Sequence, residues 1–118
     1  MAAEYELRFL VALVLTLLIE VPLLLVLVSR FSARRQSTGF VVFVGMSASL
    51  LTLPYLWFLL PAFVPLVLLV PIAEAVAVLV ETGVYAVLLS LPPSRAFVLS
   101  LICNAASFVL GGFLLARF

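Results

Sequence analysis

Histidine, lysine and aspartate are absent from this chain of 118 residues; its ionisable side chains are chiefly five Glu and six Arg. Without them there is no histidine zinc site, no Ser-His-Asp triad, no paired-aspartate intramembrane protease, no Schiff-base lysine and no P-loop lysine. The lone cysteine, Cys103, has no partner for an intrachain disulfide and reads as a small packing residue inside an apolar run. A net charge of +1 leaves no polybasic footprint for nucleic acid. Enzyme chemistry is not expected, nor is a cofactor or a metal ion.

Charge is scarce altogether. Charged residues make up 9% of the chain and hydrophobic ones 68%, against about 25% and 45–50% in a soluble domain. A bilayer core of about 30 Å takes around 20 apolar residues as a helix. Four stretches meet that length, at about 7–29, 40–60, 71–91 and 96–116. All are too long and too uniformly apolar for barrel strands, which need about ten residues with alternation. The expected class is therefore an all-α, polytopic integral membrane protein, with residues 1–118 forming one four-helix transmembrane domain. The leader before helix 1 is acidic and the apolar run from Leu7 to Val28 outlasts a signal core, so a retained helix is expected.

Between helices 2 and 3 the stretch 61–71 holds Pro61, Pro65 and Pro71 and reads as a loop or a re-entrant dip. Pro71 is expected in the first turn of helix 3, where a missing N–H costs nothing. Arg30, Arg34 and Arg35 follow helix 1 and Arg95 follows helix 3, against Arg8 and Arg117 at the other side. That bias places loops 30–39 and 92–95 in the cytoplasm and both termini outside, in a cell (inner) membrane.

The informative residues are those that do not belong in lipid. A carboxylate at the centre of a membrane helix costs roughly 2.5–3.5 kcal/mol on insertion scales. Glu20 in helix 1 and Glu74 and Glu81 in helix 3 meet that description, and Asn104 in helix 4 adds an amide. From the arginine-side helix ends, Glu20 is nine residues in, Glu81 ten, Asn104 eight and Ser49 nine. At 1.5 Å per residue they lie within about 3 Å of one layer, roughly 12–15 Å deep.

The helical faces agree. Glu74 and Glu81 are two turns apart, and Tyr85 follows Glu81 by four. Thr16 with Glu20, then Gly45, Ser49 and Thr52, and then Ser100, Asn104, Ser107 and Gly111 mark one face each of helices 1, 2 and 4. Small residues at that spacing ordinarily let membrane helices approach closely. Glu74, a turn into the expected helix 3, also suits the positive end of the helix dipole.

No intramembrane arginine is available to these acids. The uncharged acid is then favoured unless a cation or water stabilises the anion, which would let a carboxyl exchange a proton for a cationic ligand. The length, four helices and Glu20 resemble the small multidrug-resistance exporters. Helix 3, however, carries Glu74 and Glu81 in place of that family's Gly- and Trp-containing segment. Asn104 and the phenylalanines are similar to features of the small fluoride channels, without the arginine- and glycine-bearing pattern of that family. Neither likeness transfers a residue role.

The leading expectation is a transporter or carrier moving a small solute or ion, coupled to protons or cations. Glu81 is the central site, Glu20 its partner, Asn104 an orienting group, and Glu74 lies on the access path, with Tyr85 beside Glu81. The alternative is a non-catalytic membrane subunit, scaffold or assembly factor. Expected partners are the lipid bilayer and either further copies in a homo-oligomer or partner membrane subunits. A bundle this small leaves little interior beyond its own side chains, so a path between protomers is expected.

Overall fold

The computed structural model describes residues 2–32 and 35–117. Arg34, one of the arginines behind the orientation argument, lies outside them. The chain forms helices α1 (Ala2–Phe31), α2 (Thr38–Phe58), α3 (Leu66–Leu88) and α4 (Pro93–Leu115), with a short 3-10 turn at Leu60–Ala62 and no strand among the described residues. All four are long and apolar enough to cross a membrane. With 30 residues, α1 rises about 45 Å, close to the 47 Å long axis of the molecule. It therefore overruns the hydrocarbon core, and its surplus carries Glu4, Glu6 and Arg8.

Short connections make successive helices neighbours. α1 packs on α2 and α4, and α3 on the same two, which sets α1 and α3 on one diagonal of a square bundle. That diagonal matters, because inward side chains of α1 and α3 meet at the centre. Outward positions such as Leu18, Leu66, Val67, Leu79, Val87 and Val109 are broadly exposed apolar groups, as a lipid-facing surface requires.

The helix ends follow local chemistry. Ser37 caps α2, its Oγ accepting from the Phe40 N–H at 3.2 Å, so α2 begins two residues before the expected start. α3 begins at Leu66 behind Pro65, five residues earlier than expected. Pro65, rather than Pro71, takes the helix-start position. Pro71 lies inside α3, where it denies the Val67 carbonyl its partner and favours a bend. Only the 3-10 turn and a few flanking residues separate α2 from α3, so the stretch 61–71 is mostly turn and helix. Past the Leu89 cap of α3, Ser90 takes a φ of 54 and the Leu91 N–H closes back on the Ala86 carbonyl at 3.2 Å, a Schellman closure. Pro93 then opens α4.

The core is lopsided. Leu24, Val28, Val41, Val44, Ala48, Tyr85, Leu89, Leu91, Ala96, Leu99 and Cys103 form one buried cluster. On α1 and α3 these residues follow Glu20 and Glu81, and on α2 and α4 they precede Ser49 and Asn104. Large side chains thus fill the half of the bundle near the arginine-bearing connections. There Gly45 brings α1 and α2 together: a Cβ on it would stand 3.1 Å from Leu24 Cδ2 and 3.2 Å from Val21 Cγ2. Ala12, Ala73, Ala77 and Gly111 occupy inner positions of the other half, too small to fill it.

Candidate functional site

The boundary between the filled and the underfilled half is polar. Glu20 and Glu81 are each 2% exposed, brought from diagonal helices to the middle of the bundle. Glu81 is the immediate side-chain neighbour of Glu20, Glu20 also adjoins Ser107, and Glu81 also adjoins Asn104 and Tyr85. Glu20, Glu81 and Asn104 of the expected layer are thus side-chain neighbours, and Ser49 is buried on α2.

Hydrogen bonding within the cluster is uneven. The Tyr85 hydroxyl donates to Glu81 Oε1 at 3.1 Å. Glu20 Oε1 is buried with no partner, as is Ser49 Oγ. An orphaned buried acceptor costs about 1–3 kcal/mol, and more when charged. Asn104 turns its amide nitrogen to its own helix, donating to the Ser100 carbonyl at 2.9 Å and to Ser100 Oγ at 3.3 Å. Ser100 Oγ donates in turn to the Val78 carbonyl at 2.8 Å, tying α4 to α3 beside the carboxyls. The amide nitrogen is therefore engaged with Ser100, the member of the helix-4 polar stripe whose hydroxyl bonds across the seam to α3.

Glu74 sits differently from its expected place. Because α3 starts at Leu66, Glu74 lies in the third helical turn, too deep to cap the helix start. It is half-buried and lines the cavity described next. Tyr85 is completely buried on the filled side of the layer.

A cavity of about 610 Å³ occupies the underfilled half, walled by all four helices. Glu20, Asn104, Ser107 and Thr16 line its inner part, Glu74 its side, and Tyr5, Trp57, Pro61 and Phe113 its outer part. From Glu20 to Tyr5 along α1 is about 22 Å of rise, so the space runs from the polar layer toward the end bearing both termini. This corrects the expectation that the bundle has little interior of its own. It also corrects the reading of Gly111, a buried position where an added Cβ would meet no atom within 4 Å. Gly111 borders empty space, while Gly45 makes the close approach.

The outer part is ringed by aromatics. Tyr5 donates its hydroxyl to the Trp57 carbonyl at 2.5 Å, and Tyr5, Phe9, Trp57 and Phe58 pack with ring centroids 4.8–5.8 Å apart. Tyr and Trp favour the headgroup level. Arg117 stacks over the Phe113 ring at 4.6 Å, and Arg8 pairs with Glu4 at 3.8 Å on the surface. Neither arginine lines the cavity. At the opposite end, the Gln36 amide donates to the Leu89 carbonyl at 3.1 Å and Arg95 to the Phe31 carbonyl at 3.2 Å, fastening the two connections.

No family model, curated protein or solved structure matches this chain.

Proposed function

We propose that this is a small membrane carrier in which the Glu20–Glu81 pair exchanges a proton for a cationic ligand, entering through the cavity on the side of the termini. The observation that carries the reading is Glu20, which lines the inner end of that cavity with one buried oxygen unpartnered and a second carboxyl directly beside it. Adjacent anions repel in a low dielectric, so a proton or another cation must sit with them. When a cation arrives, a carboxyl proton leaves to water and the anion takes the ligand's charge; on release the proton returns. The net charge of the site is conserved through the exchange. Glu81, held by Tyr85, is the central acid; Glu20 faces the ligand, and Glu74 guides approach.

The filled half of the bundle supports coupled rather than free passage, since Leu24, Leu89 and Leu99 separate the carboxyls from the arginine side. The arginine distribution supports both connections in the cytoplasm of an inner membrane and both termini outside. Further copies or partner subunits would pack against the broad apolar exterior.

Ligand-driven proton release tests the reading. Cations from sodium to organic amines are added to the purified chain in weakly buffered detergent, and proton release is followed with a pH dye. One or more should release protons from the wild type and none from Glu81→Gln. Unchanged release from a folded Glu81→Gln protein would end the proposal. If the protein were a scaffold, that substitution would alter its co-purifying partners and move no protons.

A further inference from the structure

We infer that the arginine-bearing end of the bundle holds a second site, a cleft between α1 and α2 that seats the phosphate headgroup of an anionic phospholipid. The cleft shares no residue with the carboxylate-lined cavity and is independent of what that cavity carries. It has a volume of about 380 Å³ and lies where the last turns of α1 meet the first turn of α2. Val28 and Val41, both buried in the core cluster, form its floor. Ser29, Arg35 and Thr38, all exposed, form its rim, with the half-buried Ser32 and Gln36 beside them.

The donor set selects the charge of the occupant. A guanidinium, an amide and three hydroxyls line the cleft, and no carboxylate does. Arg35 forms no ion pair among the described residues, and no acid occurs in the sequence between Val21 and Ala73 or after Glu81. Arg30 stands at the same end, and Arg95 adds its charge there by donating to the Phe31 carbonyl at 3.2 Å. A cation would meet only like charge. A phosphate can take two parallel N–H···O bonds from one guanidinium, and the positive end of the α2 dipole adds to the attraction. The Gln36 amide, donating to the Leu89 carbonyl at 3.1 Å, holds this wall in place against the other connection.

Depth selects the source of the phosphate. Ser29 is nine residues past Glu20 on α1, about 13 Å of rise. Measured from a polar layer near the middle of a hydrocarbon core about 30 Å thick, the rim reaches the edge of that core. Lipid phosphates lie at this level, and basic pockets between membrane helices bind phosphate-bearing headgroups. Five of the eight lining residues are polar, which rules against an acyl chain as the occupant. An apolar floor under a charged rim matches a phosphate joined to glycerol and its chains, whereas a free phosphate is hydrated on every side.

Native mass spectrometry of the detergent-solubilised chain, titrated with dioleoyl phosphatidylglycerol, tests the site. One lipid should bind saturably, and its Kd should rise about tenfold in Arg35→Gln, the loss of a charge-assisted contact. Ser29→Phe keeps every charge and fills the cleft, and should raise Kd by about as much. Both residues are exposed, and circular dichroism checks that the variants keep native helix content. Dioleoyl phosphatidylcholine, whose phosphate carries its own cation, should bind about fivefold more weakly than phosphatidylglycerol.

An unchanged Kd in folded Ser29→Phe would reduce this end to a diffuse attraction for anions and overturn the site, as would an unchanged Kd in Arg35→Gln. Displacement of the lipid by millimolar glycerol 3-phosphate or inorganic phosphate would assign the cleft to a soluble phosphate and overturn the lipid as its occupant.

Discussion

Alanine at two glycines should have opposite consequences, because Gly45 is crowded by side chains of α1 while Gly111 borders open space. At Gly111 a new Cβ meets nothing within 4 Å. The substitution then brings only the helix preference of alanine over glycine, about 0.8–1 kcal/mol in favour of the folded chain. At Gly45 the same gain is opposed by contacts of 3.1 and 3.2 Å with Leu24 and Val21. Leu24 is completely buried in the core cluster and has nowhere to move. Overpacking of this kind costs about 1–3 kcal/mol. Gly45→Ala should therefore be neutral to about 2 kcal/mol less stable than wild type, and Gly111→Ala about as stable or more so. The separation between the two variants should be at least about 1 kcal/mol. Reversible unfolding in mixed micelles with rising dodecyl sulfate, followed by circular dichroism, measures it. Equal stabilisation at both positions would refute the lopsided core, and with it the one-sided access the carrier reading uses.

Other consequences are as specific. Ser100→Ala removes the α4–α3 hydrogen bond to the Val78 carbonyl and should cost about 0.6–2 kcal/mol in the same unfolding assay; no loss would mean the tie is not made. Tyr85→Phe takes the hydroxyl from Glu81. Its cost of about 1–3 kcal/mol should shrink when Glu81 is already Gln, and strict additivity in that double-mutant cycle would show the pair uncoupled. Ser90→Gly relieves a positive φ at the end of α3 and should stabilise by up to about 1 kcal/mol, since a side chain there costs about 1–2 kcal/mol; destabilisation would contradict the Schellman closure. Trp57 should be quenched more strongly by lipids brominated near the headgroup than at the chain ends, with the reverse order placing the aromatic ring wrongly.

Much of this architecture could be read from the sequence because lipid imposes strong rules. Long apolar runs have one outcome, and carboxyls placed in them turn inward. The meeting of Glu20, Glu81 and Asn104 followed from rise per residue alone, since errors of a few residues shift a depth by only a few ångströms. The start of α3 was harder to read because both Pro65 and Pro71 can open a helix, and only packing decides between them. The Ser37 cap was present as a Ser-Thr pair but was masked by the apolar run that begins at Phe40. The cavity was illegible, since Gly45 and Gly111 are the same residue type at similar spacing. What distinguishes them is whether the opposing helix presents Leu24 and Val21 or nothing. The Ser100–Val78 bond likewise depends on the register of α3 against α4, which no single-helix pattern encodes.

Proton movement across a membrane tests the central claim most directly. The chain is reconstituted into liposomes that enclose a pH-sensitive dye, and an inward gradient of each candidate cation is imposed. Wild-type vesicles should show saturable, cation-driven proton efflux, lost in both Glu20→Gln and Glu81→Gln although both variants insert with native helix content. Efflux that persists at the wild-type rate in the two folded variants would contradict the account, because the carboxyls at the centre of the bundle would then have no part in transport.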